Sequence, residues 1–117
     1  MNIENLKQLI NRGECINVEF KESKNKINKD AYETVCSFLN RSGGHLILGV
    51  NNSGEILGVN PDEAESLKKN FVTSINNPDI LNPTFYLSIN EFQIDDKVIL
   101  YVFIPESSST SLQREDF

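Results

Sequence analysis

Asp30-Ala-Tyr-Glu-Thr-Val-Cys-Ser-Phe-Leu-Asn-Arg-Ser-Gly-Gly44, continuing as His45-Leu-Ile-Leu-Gly-Val-Asn-Asn-Ser-Gly54 and Glu55-Ile-Leu-Gly-Val59, is the stretch around which the chain is organised. Ala31, Val35, Phe38 and Leu39 recur at helical spacing, so one face of the first segment is apolar. Asp30, with Glu33 three residues on, is placed to cap the orphan N–H groups at the helix start. Gly43 or Gly44 is expected to supply the left-handed residue that ends the helix. Leu46 to Val50 is nearly all apolar, as in a strand covered on both faces. Asn51-Asn52-Ser53-Gly54 is a turn cluster, and Ile56-Leu57 returns as a short partner strand. Gly49 and Gly54 belong with Gly43 and Gly44 as structural glycines.

Towards the N-terminus, Asn2 caps a first helix with an apolar stripe of Ile3, Leu6, Leu9 and Ile10, and Gly13 closes it. Asn17-Val-Glu-Phe20 reads as a short strand with Val18 and Phe20 on one face. Lys21 to Lys29 is a polar loop. Beyond Val59, Asn60-Pro61-Asp62-Glu63 is a helix start, with acids where the helix dipole is positive. Ala64, Leu67, Phe71 and Ile75 form that helix's buried face, and Asn76-Asn77-Pro78 stops it. Phe85, Leu87 and Ile89 alternate with Tyr86, Ser88 and Asn90, which predicts a strand with one wet face. Asp95-Asp96-Lys97 is a turn, and Val98 to Ile104 a buried strand ended by Pro105.

The order helix, strand, helix, strand with hairpin, helix, strand, strand predicts an α/β (α+β) sandwich with helices packed on a mixed sheet. Residues 1–105 form the domain, and 106–117 a polar, Ser-rich tail or truncated end.

The 117 residues suffice for one domain with a sizeable core. No apolar run is long enough to span a bilayer, and Met1 to Glu4 lacks a signal peptide's layout. Cys15 and Cys36 have no metal-ligand spacing, which fits a reducing, cytoplasmic setting. The net charge of −6 argues against nucleic acid binding over the whole surface. Locally the balance is different, because Lys21, Lys24, Lys26 and Lys29 crowd one loop. A solvated connection is the plain reading of such a run; a phosphate-binding loop is the functional one. Arg41 is a further candidate cation. Few exposed aromatics accompany these lysines, so stacking on single-stranded bases is not expected of them.

Other chemistry finds little support. There is no P-loop sequence. Gly43-Gly44 lies after a helix and before a strand, the reverse of a helix N-terminus aimed at phosphate. His45 has no partner at triad or metal spacing and reads as a strand residue.

Three segments, Glu14-Cys-Ile-Asn-Val-Glu-Phe-Lys-Glu-Ser23, Val35 to Gly44, and Leu48 to Gly58, together resemble the Schlafen-type, AlbA-like domain. The resemblance covers residues 1–105 and implies a βαβαββ core, here with an added N-terminal helix and an inserted short hairpin. It also implies a DNA-binding module at the N-terminus of bacterial transcriptional regulators. In the ribonuclease branch of that family a carboxylate triad binds divalent metal. Glu14 and Glu19 match its first two acids, as catalytic and metal-ligand candidates, but Asn51 or Asn52 stands where the third would be. An amide can ligate a hard dication but neutralises none of its charge.

The leading expectation is therefore a non-enzymatic, cofactor-free module that binds nucleic acid, DNA first, with no membrane partner. The alternatives are a metal-dependent endoribonuclease, and a protein-interaction or dimerisation module favoured by the acidic net charge.

Overall fold

A computed structural model describes residues 1–76 and 87–106. Its elements are α1 (Ile3–Arg12), β1 (Val18–Lys21), α2 (Lys29–Leu39), β2 (Gly44–Leu48), a 3₁₀ turn (Pro61–Glu63), α3 (Ala64–Ile75), β3 (Ile89–Ile94) and β4 (Lys97–Ile104). This is the expected βαβαββ order behind an N-terminal helix. The sheet order is β1-β2-β4-β3. β1 and β2 are parallel, which the α2 crossover requires, and β4 pairs antiparallel with both β2 and β3.

The central strand is buried on both faces, as its apolar run predicts. Leu46 and Leu48 join Ala31, Val35 and Phe38 of α2 and Leu67 and Phe71 of α3 in one core. Ile47 and Val50 join Leu6, Leu9 and Ile10 of α1 in a second core on the opposite face. Tyr32 stacks on Phe71, with ring centroids 5.7 Å apart, and ties α2 to α3.

Local signals explain most helix ends. Asn2 accepts a hydrogen bond from the Asn5 N–H at 2.8 Å, and Gly13 closes α1 at φ +88°. Asn60 accepts from the Asp62 N–H at 3.0 Å, although the first turn after it is 3₁₀ rather than part of α3. Asp30 is not the cap of α2. Asn28 holds that position without a side-chain cap bond, because Asp30 is drawn to Lys21 instead.

Two strands differ from expectation. The Ile56-Leu57 return is reduced to a single bridge between Val50 and Ile56. The strand expected over 85–90 is Ile89–Ile94 among the described residues. Asp95 and Asp96 both have positive φ, 50° and 67°, the geometry of a tight two-residue hairpin turn. That turn pairs Ile94 with Lys97 and so sets the register back to Ile89. Phe85, Tyr86, the Pro78 stop and residues 107–117 of the expected tail lie outside the described residues.

Candidate nucleic-acid interface

Strand β1 delivers the chain into the lysine loop, and the loop is fastened at several points. Ser23 is buried at φ +48°, and Ile27 is buried in the core beneath α2 and α3. The Asn60 N–H donates to the Lys24 carbonyl at 2.8 Å, and its side-chain amide donates to Asn25 Oδ1 at 3.0 Å. Lys24 and Lys26 are exposed between these anchors, and Lys29 is exposed where the loop enters α2. A loop held this way presents its ammonium groups with little ordering cost on binding.

Lys21 does not join them. Its Nζ lies 3.1 Å from Asp30 and 3.6 Å from Glu19. Burial works against its charge, but the hydrogen bond and charge of Asp30, then those of Glu19, outweigh it and hold its pKa above the ordinary lysine value. Its charge is spent within the fold. Arg41 is also set apart, since α2 runs for about 16 Å between Lys29 and Leu39. There its guanidinium lies 5.6 Å from the centre of the Phe38 ring and donates to Ser37 Oγ at 3.0 Å.

The two candidate acids are brought into contact with each other. β1 is an edge strand, and Glu14 reaches over it to accept from the Phe20 N–H at 2.9 Å. Burial, followed by the hydrogen bond and charge of Glu14, pushes the Glu19 carboxyl up, while Lys21 pulls it down. Asn51 is a turn residue: its Oδ1 accepts from the Ser53 and Glu55 N–H groups at 3.0 and 2.9 Å. Asn52 lines a polar hollow of about 270 Å³ shared with Lys21, Ser23 and Asp30. Among the described residues no group of three or more His, Cys, Asp or Glu is placed to hold a metal ion.

The raised Glu19 pKa has a sign that can be checked. Folded Glu19 holds its proton more tightly than the unfolded chain does, so stability falls as pH rises from the ordinary value of 4.5 through the raised one. Glu19→Gln is expected to flatten this part of the curve and to gain on the parent as pH rises above 4.5. Urea melts at rising pH test it; a parent no steeper than the variant would mean that Lys21 cancels the effects of burial and of Glu14.

The four glycines read as structural differ in their surroundings. Gly43 has φ +80°, whereas Gly44 has no such backbone, yet a Cβ on it would meet the Asn17 carbonyl oxygen and the Phe38 ring at 2.8 Å. Gly49 at φ +107° and Gly54 at φ +86° sit at turns. His45 is in β2, as read, but is not isolated: its Nδ1 lies 2.7 Å from the Tyr101 hydroxyl. Sequence reasoning missed the Lys21–Asp30 pair and the His45 cluster, since neither has a signature at short spacing.

A mixed sheet with helices on both faces makes this an α+β domain, with a fastened basic loop after its first strand and an acid pair beside that strand. The family profile described as Schlafen, AlbA_2 matches residues 14–116, and the chain belongs to that family. An uncharacterized ATP-binding protein of Ureaplasma parvum serovar 3 is 35% identical over 85 residues, 70% of this chain. The chain spans 23% of that relative's length. The N-terminal domain of an ATP-dependent DNA helicase RecG-related protein from Nitrosomonas europaea has the same fold. It is 24% identical with a TM-score of 0.68, over 90% of this chain and 75% of that one. A protein of Corynebacterium diphtheriae of known crystal structure is 16% identical with a TM-score of 0.57, over 90% of this chain and 25% of that one. No described helix is long and apolar enough to cross a membrane.

Proposed function

We propose that the chain is a nucleic-acid-binding module, with DNA as its first ligand, serving a bacterial transcriptional regulator without a cofactor of its own. The observation that carries this reading is the fastened loop and the first residue of α2, on which Lys24, Lys26 and Lys29 are exposed, while Lys21 is neutralised by Asp30 and Glu19. These cations suit phosphates rather than base edges, so binding is weakly sequence-dependent. The fold it shares with the N-terminal domain of a protein named as related to the DNA helicase RecG is consistent with such a role.

The family's divalent cation does not fit the residues present. Glu14 is committed to the Phe20 N–H, the Asn51 side-chain oxygen to two backbone donors, and Asp30 to Lys21. Among the described residues no third anionic ligand joins Glu14 and Glu19, which supports a reading of binding without cleavage.

The test is an anisotropy titration of a labelled DNA duplex. Three exposed lysines engaging three phosphates should lower affinity about 40-fold between 50 and 200 mM salt. The acidic remainder of the surface repels DNA, so the Kd should be no tighter than roughly 10⁻⁶ M at physiological salt. Lys24→Glu combined with Lys26→Glu should abolish binding and leave the melting temperature nearly unchanged, because both side chains are exposed. A double variant that binds like the parent, or a parent that does not bind at 50 mM salt, would return the loop to a solvated connection.

A further inference from the structure

On the face of the sheet that α1 covers, four rings form a diagonal row, from Phe92 near the lysine-loop end of β3 to His45 and Phe103 at the opposite end. Phe92 meets Tyr101 edge to face at 6.3 Å, Tyr101 lies 5.8 Å from His45, and His45 lies 5.7 Å from Phe103. The register explains the row. His45 pairs with Phe103 across β2 and β4, and Tyr101 is two residues further along the same face. α1 is ten residues long and seats Leu6, Leu9 and Ile10 on this face. It leaves Phe103 53% exposed, an unusual position for a phenylalanine in a central strand. His45 and Phe92 are half-buried and Tyr101 is buried, so the row is a firm floor with one ring offered to solvent.

The surroundings favour an anionic, planar partner. Beside His45 a hollow of about 270 Å³ is lined by Arg12, Asn17 and Cys15 among others. That is below the roughly 300–1,000 Å³ of pockets that enclose a drug-sized ligand, and suits one ring system. Burial, then the positive charge of Arg12, lowers the His45 pKa and so favours the neutral imidazole. Arg41 stands just before Gly43 and Gly44, where β2 begins, so cations from both helical layers flank this end of the sheet.

We infer that this row is a stacking platform for single-stranded nucleic acid, with a base laid on Phe103 and His45 and the adjoining phosphate held by Arg12. The inference rests on the nucleic-acid-binding reading and deepens it. The lysine loop holds phosphates of any form, whereas exposed rings can engage only bases that are not stacked in a duplex. The lysine loop carries no such rings, in keeping with its sequence; the platform draws on residues from three strands.

The test compares labelled oligothymidine with a duplex of equal length, using the parent, Phe103→Ala and Phe103→Leu. The parent should bind the single strand more tightly. Phe103→Ala should weaken single-strand binding about 5- to 150-fold, the range of one lost base stack, and leave duplex binding unchanged. Phe103→Leu keeps the apolar bulk without the π face and should lose nearly as much. Unchanged single-strand affinity in both variants, with duplex binding intact, overturns the platform and leaves the lysine loop standing. Absence of binding to either probe overturns both. A sedimentation shift from dimer to monomer on Phe103→Ala, with no loss of single-strand binding, would assign the row to a contact between copies of the chain.

Discussion

Phe38→Ala is expected to cost the domain about 3–5 kcal/mol, a large part of the roughly 5–15 kcal/mol by which such domains are stable. Phe38 is 2% exposed and lies in the core shared by α2, α3 and the central strand. Its ring also closes on the backbone at the start of β2, where a Cβ on Gly44 would come within 2.8 Å of it. Removing the ring loses transfer free energy and leaves a void that helix and strand cannot both collapse into, since the neighbouring backbone is held by hydrogen bonds. The Gly43 N–H donates to the Phe38 carbonyl at 2.8 Å, so the residue is fixed from both its ring and its backbone. Arg41, over the ring's outer face, would lose its support as well. Urea unfolding of the variant measures the loss. A change below about 1 kcal/mol would mean that this core is plastic, contrary to the packing described.

The parts of this structure that the sequence made legible are those where one local period decides the outcome. Ala31, Val35, Phe38 and Leu39 share a helical face that only a covering strand could bury, and Leu46 to Val50 is too apolar to have a wet side. Both readings hold in the two cores. What was not legible depends on residues distant in sequence. Asp30 reads as a helix cap because nothing local shows that Lys21, at the end of β1, will arrive beside it. Lys21 for the same reason reads as one of four equivalent cations. The register of β3 was hidden because it follows from two adjacent residues, Asp95 and Asp96, both taking positive φ. His45, Phe92, Tyr101 and Phe103 form a row only after three strands are aligned. For the candidate site, the basic segment was visible, whereas the division of labour within it was not.

Gly43→Ala should be about as damaging as the loss of Phe38, although it adds a single methyl group. Two independent costs apply. The first is conformational: at φ +80° a residue with a Cβ is strained by roughly 1–3 kcal/mol. The second is steric. The new Cβ would meet the Ile104 carbonyl oxygen and would lie 2.8 Å from the Glu106 nitrogen and 2.9 Å from the Pro105 carbonyl carbon. These are backbone atoms at the end of β4, and they cannot swing aside as a side chain can. Ile104 pairs with Gly44, so relief of the clash must loosen the pairing of β2 with β4 at that end. Forcing a methyl group into such a contact adds about 1–3 kcal/mol, which gives a total of roughly 2–6 kcal/mol. Gly43→Asn separates the two terms, because asparagine tolerates left-handed backbone but not the crowding. It should remain destabilised by most of the steric share, whereas a change near zero would show that backbone conformation alone selects glycine there. Gly44→Ala supplies the complementary case. It carries no positive-φ strain, so its cost should come only from the Asn17 carbonyl and the Phe38 ring, and in a Phe38→Ala background the ring's share of that cost should disappear. Melting temperatures of the three glycine variants and the double variant test the scheme, and equal losses for Gly44→Ala in both backgrounds would break the proposed contact between Gly44 and Phe38.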